Sequence, residues 1–130
     1  MHIVQVTFIF SLIFGGLVLW EIIPPRGVAQ ITVIELRKML KDRTEYDYQY
    51  IDVRNAEKFN RMHVYGFKNI PLIELKKKAE KVEALSKDKK IIVMSQKGIN
   101  GNEACRILKK RGFTDLANVR GGFISWEPYN

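Results

Sequence analysis

Cysteine occurs once in the 130 residues, as Cys105, and histidine twice, as His2 and His63. A single thiol excludes an internal disulfide, and nothing argues for an oxidising compartment. The two histidines are far apart, and no Cys/His set has the spacing of metal ligands, so no metal or other cofactor is implied. Repeats and low-complexity stretches are also missing. With 46% hydrophobic and 28% charged residues the chain has the composition of a globular domain, not of a disordered one. Basic residues are absent from the first 25 positions. All 22 Lys and Arg lie at or after Arg26, whereas of 14 acidic residues only Glu21 precedes it.

What stands in that uncharged stretch is apolar. Residues 3–23 read IVQVTFIFSLIFGGLVLWEII, broken only by Gln5, Thr7, Ser11 and Glu21. As a helix this stretch would span about 30 Å, the hydrocarbon thickness of a bilayer. Trp20 and Glu21 would sit at an interface, and Pro24-Pro25 would stop the helix. A cleaved signal peptide is the rival reading. It usually carries a basic leader and a shorter apolar core, and only Gly27-Val28-Ala29 offers a passable cleavage site. The expected organisation is a transmembrane anchor over residues 1–25, a linker over 26–30 and one domain over 31–130. Arg26, Arg37, Lys38, Lys41 and Arg43 follow the span and none precedes it. The expected place is therefore the cell membrane, single-pass, with the carboxyl-terminal domain in the cytoplasm. Gly15-Gly16 is weak evidence for helix packing.

Lysine clusters (Lys76-Lys77-Lys78, Lys87 with Lys89-Lys90, Lys109-Lys110-Arg111) suit a solvated surface. Aromatic interleaving and a recognised nucleic-acid module are missing, so no nucleic-acid partner is expected. Attraction to anionic lipid is a third reading, tied to the anchor.

The domain is organised around IIVMSQKGINGNEACRILKK, residues 91–110. An apolar strand, Ile91 to Met94, breaks into Ser95-Gln96-Lys97-Gly98-Ile99-Asn100, after which Ala104, Ile107 and Leu108 mark one face of a helix. Strand, tight loop and helix place backbone N–H groups at the positive end of a helix, a ready site for an anion. Gly98 and Gly101 relieve the tight backbone. Upstream, Ile31-Thr32 reads as a first short strand. Thr32 and Glu35 form a capping box for a helix with Val33, Leu36, Met39 and Leu40 on one face. Tyr48 to Val53 reads as a buried parallel strand, with Asp52 and Arg54 at its carboxyl end. That pair suits either a salt bridge or substrate contact. Glu57 to Met62 reads as a short helix, then His63 follows on a loop, bonded to backbone or carrying protons. Phe67 to Ile70 reads as a strand, and Pro71 opens a helical stretch through Leu72, Leu75, Ala79, Val82 and Leu85. Gly112 ends the central helix, Leu116 to Val119 makes the last strand, and Gly121-Gly122 turns into a helix carrying Trp126.

Four stretches taken together resemble the rhodanese (sulfurtransferase) family over about residues 31–128. They are Tyr50-Ile51-Asp52-Val53-Arg54 with Glu57 and Phe59; His63 to Leu72; the 91–110 segment; and Val119-Arg120-Gly121-Gly122-Phe123-Ile124-Ser125-Trp126. The resemblance implies an α/β fold, a parallel sheet with helices on both faces. It also places Ser95 where the family carries its catalytic cysteine, and Asn100-Gly101 where an active loop often ends in Arg-Ser. A persulfide needs a sulfur nucleophile, which a serine hydroxyl cannot supply. The implied function is a membrane-anchored, non-catalytic rhodanese-homology module that binds a protein partner or a small oxyanion. Ser95 through Asn100 form the anion loop, and Asp52, Arg54 and His63 stand at the site edge. The alternative is a sulfurtransferase with an atypical site, acting through Cys105 although its helical position suits a buried hydrophobe. A phosphatase-like use would need an arginine where Asn100 stands.

Overall fold

The computed structural model describes residues 2–43, 47–77 and 80–127. An apolar helix, α1 (His2–Ile22), precedes an alternation of strands and helices: β1 (Val28–Ile31), α2 (Val33–Lys41), β2 (Gln49–Asp52), α3 (Ala56–Arg61), β3 (Lys68–Asn69), α4 (Leu72–Lys76), α5 (Glu80–Glu83), β4 (Ile91–Met94), α6 (Ile99–Lys110), β5 (Leu116–Val119) and α7 (Gly122–Trp126). The strands form one five-stranded sheet in the order β1-β5-β4-β2-β3. All four neighbouring pairs are parallel. Ser95, Arg54 and Arg120 therefore emerge at one edge, the carboxyl edge where open α/β sheets carry their sites.

β4 lies at the centre and is buried along its whole length, which is why Ile91 to Met94 reads as a continuous apolar run. Its side chains divide by parity. Ile92 and Met94 pack with Leu36, Ala117, Val119, Phe123 and Trp126 on the α2/α7 side. Ile91 and Val93 pack with Ala104, Cys105, Leu108 and Leu75 on the α4/α6 side. The strand thus buries both faces, as a parallel sheet sandwiched by helices requires.

Local signals hold where the side chains carry them. Thr32 Oγ1 accepts from the Glu35 N–H at 3.1 Å, and Glu35 Oε2 accepts from the Thr32 N–H at 3.3 Å, a complete capping box. Two expectations shift. The first strand begins at Val28, not Ile31, so most of the stretch read as linker is sheet, in register from Val28 opposite Leu116 to Ile31 opposite Val119. It is an edge strand paired through its backbone, with Ala29 exposed and Gln30 half-buried, so no apolar run announces it. The helical stretch opened by Pro71 is two short helices, α4 and α5; Ala79, read as part of its face, lies outside the described residues.

α1 is the one helix among the described residues long and apolar enough to cross a membrane. Its apolar side chains from Ile3 to Leu19 are exposed. It touches the domain at its carboxyl end, where α6 supplies Arg106 to the carbonyl of Ile23 and Lys109 to the carbonyl of Arg26.

Candidate functional site

Ser95 is the first residue beyond β4, and it is 1% exposed. Its Oγ accepts a hydrogen bond from the N–H of Gly98 at 2.9 Å, closing the loop on itself. No basic side chain is hydrogen-bonded to that hydroxyl among the described residues. The loop is also pinned from outside. The Phe123 N–H donates to the Ser95 carbonyl at 2.8 Å, and the Ile124 N–H donates to the Gln96 carbonyl at 3.1 Å. The first turn of α7 therefore fixes where the loop sits.

From below, Asn118 of β5 holds the turn. Its Nδ2 donates to the Gly98 carbonyl and to Gln30 Oε1, both at 3.0 Å. Gln30 Nε2 donates to Asn102 Oδ1 at 2.8 Å. β1, α6, β5 and the loop are thus joined by one polar network. Asn118 Oδ1 is buried and has no hydrogen-bond partner among the described residues. It faces Gly101 so closely that a Cβ there would stand 2.0 Å from it. Glycine at 101 is what lets a polar side chain lie under the helix start.

The loop presents two sides. Ser95, Gln96 and Asn100 line a cleft of about 270 Å³ with Arg54, Lys58 and Leu72. Lys97, Gly98 and Ile99 line a separate recess instead. The change of side occurs at Gly98, whose φ of 98° turns the chain before α6. The six-residue anion loop expected from the sequence is therefore divided, and one of its donors, the Gly98 N–H, is already engaged by Ser95.

Asp52 and Arg54 form a buried ion pair. Arg54 Nη2 lies 2.9 Å from Asp52 Oδ2, and Nε donates to both carboxylate oxygens at 3.1 Å. The guanidinium also donates to the Met62 carbonyl at 2.7 Å and lies 3.9 Å over the Phe123 ring. Its Nε and Nη2 donors are engaged by Asp52 and Met62, so the pair braces the cleft floor. Asn69 extends the brace, its Nδ2 donating to the carbonyls of Asp52 and Arg54 at 3.0 and 2.9 Å.

His63 is not part of the cleft. Its Nδ1 is 2.8 Å from the Phe59 carbonyl, its ring stacks on Phe59 at 3.8 Å, and it borders a recess formed with Arg37 and Trp126. Cys105 is also remote. It lies on the core-facing side of α6, and burial pushes its thiol pKa up to about 12, which keeps it a neutral thiol rather than a nucleophile.

Sequence reading missed Lys58, which reaches the cleft from α3, and the Gln30–Asn102–Asn118 network. Lys58 sits four residues after Arg54 on a capped helix, Asn55 Oδ1 accepting from the Lys58 N–H at 2.8 Å. The available signal was the Asn55 cap, which places Lys58 at the third position of the helix.

A family model described as the rhodanese-like domain matches residues 32–128. The uncharacterized protein YqhL of Bacillus subtilis is 31% identical over 97 residues, which cover 69% of this chain and 75% of that one. The thiosulfate sulfurtransferase GlpE of Shewanella oneidensis is 29% identical over 82 residues, covering 63% and 78%. The crystal structure of a rhodanese-related protein from Thermoplasma volcanium superposes with a TM-score of 0.66 at 26% identity, covering 78% of this chain and 93% of that one.

Proposed function

The chain belongs to the rhodanese-like domain family, and from that premise we propose that it is a membrane-anchored module that binds without transferring sulfur. The observation that carries this reading is Ser95, placed at the position the family resemblance gives to the catalytic cysteine, with its hydroxyl buried and bonded to the Gly98 N–H. A sulfurtransferase stores a sulfane sulfur as a persulfide, which requires a thiolate at the head of the loop. A hydroxyl stays protonated near neutral pH and forms no S–S bond.

What remains is a small cleft with polar walls. Lys58 is its exposed cation, Arg54 lines it as a guanidinium ion-paired with Asp52, and the amino end of α6 adds its positive dipole. A small oxyanion, or the carboxylate of a partner's acidic side chain, fits that chemistry. α1 supports anchoring by its length and its exposed apolar surface, and the distribution of Lys and Arg supports a cytoplasmic domain.

The decisive measurement is sulfur transfer from thiosulfate to cyanide. The wild-type chain is expected to stay at background. Ser95→Cys restores a slow reaction, and adding Asn100→Arg raises it further, since a guanidinium offers paired donors to the sulfonate-like end of the donor. Cys105→Ala leaves every result unchanged. Wild-type turnover that disappears in Cys105→Ala would replace this reading with that of an atypical sulfurtransferase.

A further inference from the structure

The side of the loop that turns away from the Ser95 cleft faces the exit of α1. There a recess of about 410 Å³ is walled by Lys97, Ile99, Asn102, Arg120 and, from the segment leaving α1, Pro24. Lys97 and Arg120 are exposed and make no ion pair among the described residues. Arg106 and Lys109 stand nearby on α6, donating to the carbonyls of Ile23 and Arg26. They place positive charge at the carboxyl end of α1, whose own last turn contains no basic residue. The acid of that helix, Glu103, is held by Lys76 at 3.2 Å. Four basic side chains, Lys97, Arg106, Lys109 and Arg120, therefore gather near the point where a 21-residue apolar helix meets the domain.

We infer that this recess seats the phosphate of an anionic phospholipid between Lys97 and Arg120. The inference rests on the anchoring reading above and adds a ligand to it. With α1 in a bilayer, Pro24 lies just beyond the hydrocarbon, at the depth of the phosphodiester groups. Two unpaired cations at that depth meet a fixed layer of negative charge, each contributing a modest attraction. Ile99, half exposed at 50%, gives the recess an apolar lip for the glycerol and upper acyl region. Lys97 and Ile99 belong to the same loop as Ser95 and Asn100. A lipid seated on the outer side therefore steadies the wall of the cleft on the inner side. The bilayer becomes a ligand of the site rather than only its location.

The test uses the full chain in nanodiscs, with amide hydrogen exchange read over Lys97 to Asn102. Exchange is expected to be about fivefold slower in discs containing phosphatidylglycerol than in discs of phosphatidylcholine alone. The K97Q/R120Q variant loses that difference, whereas Lys68→Gln, on the strand at the other edge of the sheet, keeps it. Equal exchange in the two discs, with the chain retained in both, overturns the lipid seat and leaves the anchor standing. Inorganic phosphate slowing exchange equally in phosphatidylcholine discs overturns the lipid as source in favour of a free anion. Release of the chain from membranes by high salt overturns the anchor and the seat together.

Discussion

The turn after β2 and the loop after β4 leave the same edge of the sheet and line the same cleft, yet they treat charge in opposite ways. In the first, Asp52 and Arg54 are both buried and bonded to each other, and the guanidinium is further tied to the Met62 carbonyl and the Phe123 ring. In the second, the buried group is the uncharged Ser95, and the cation, Lys97, is exposed and turned to another recess. A buried charge already held by an opposite one has less to offer a ligand. An exposed charge contributes little to stability but is available. The ion pair therefore belongs to the scaffold, and the loop is where binding is to be sought.

Breaking the scaffold side is expected to have the largest effect. Arg54→Ala removes the partner of a carboxylate that is completely buried, at a cost of about 3–5 kcal/mol because the desolvated charge is left uncompensated. Urea unfolding of the full chain in micelles measures it. Replacing both partners together with apolar residues of similar volume should recover much of the loss. If Arg54→Ala unfolds at the wild-type midpoint, the pair is not structural, and Arg54 returns as a candidate ligand group.

A smaller effect is expected where the loop side meets the sheet. Gly101→Ala places a methyl 2.0 Å from Asn118 Oδ1, so Asn118 must move and its bonds to Gly98 and Gln30 weaken. A cost of about 1–3 kcal/mol follows from such overpacking. In an Asn118→Ala background the obstruction is gone, and the same substitution should cost much less. That non-additivity is the signature of a direct contact. Additive costs would mean that the obstruction is not Asn118 but another neighbour, Ser95 Oγ lying 3.1 Å from the added Cβ.

The contrast also explains how much of the molecule was legible beforehand. β4 was legible because a strand buried on both faces is apolar along its length, β5 because only Asn118 interrupts its apolar run, and the Thr32–Glu35 box because both partners lie within one turn. β1 was not, since an edge strand holding Gln30 and the exposed Ala29 needs only its backbone to pair. At the site, the Ser95 loop stood out as strand, turn and helix. The network beneath it did not, for Gln30 meets residues 72 and 88 positions away. The Lys109-Lys110-Arg111 cluster looked like a solvated surface. Lys109 and Lys110 are exposed, and Lys109 in addition reaches the carbonyl of Arg26, 83 positions earlier; no periodicity encodes such a pairing. Charge counts locate cations along the chain; only the fold shows which of them are already engaged.

The smallest expected effect is the most direct test of the loop. Sulfate, thiosulfate or phosphate should bind with a millimolar dissociation constant, about −4 kcal/mol, because one lysine and a helix terminus face the cleft. In an NMR titration the amide signals of Gln96 and Asn100, which line the cleft, should move with the anion. Gly98 should respond least, since its N–H is donated to Ser95 Oγ. Ser95→Ala releases that N–H, so Gly98 should join the responding set in the variant and the affinity should rise slightly. A wild-type loop whose amides stay still at millimolar anion while exposed lysines shift would mean that the cleft does not bind oxyanions. A Gly98 response equal to its neighbours' would mean that anion and hydroxyl compete for one donor, and that the loop is held closed less firmly than its 2.9 Å bond implies.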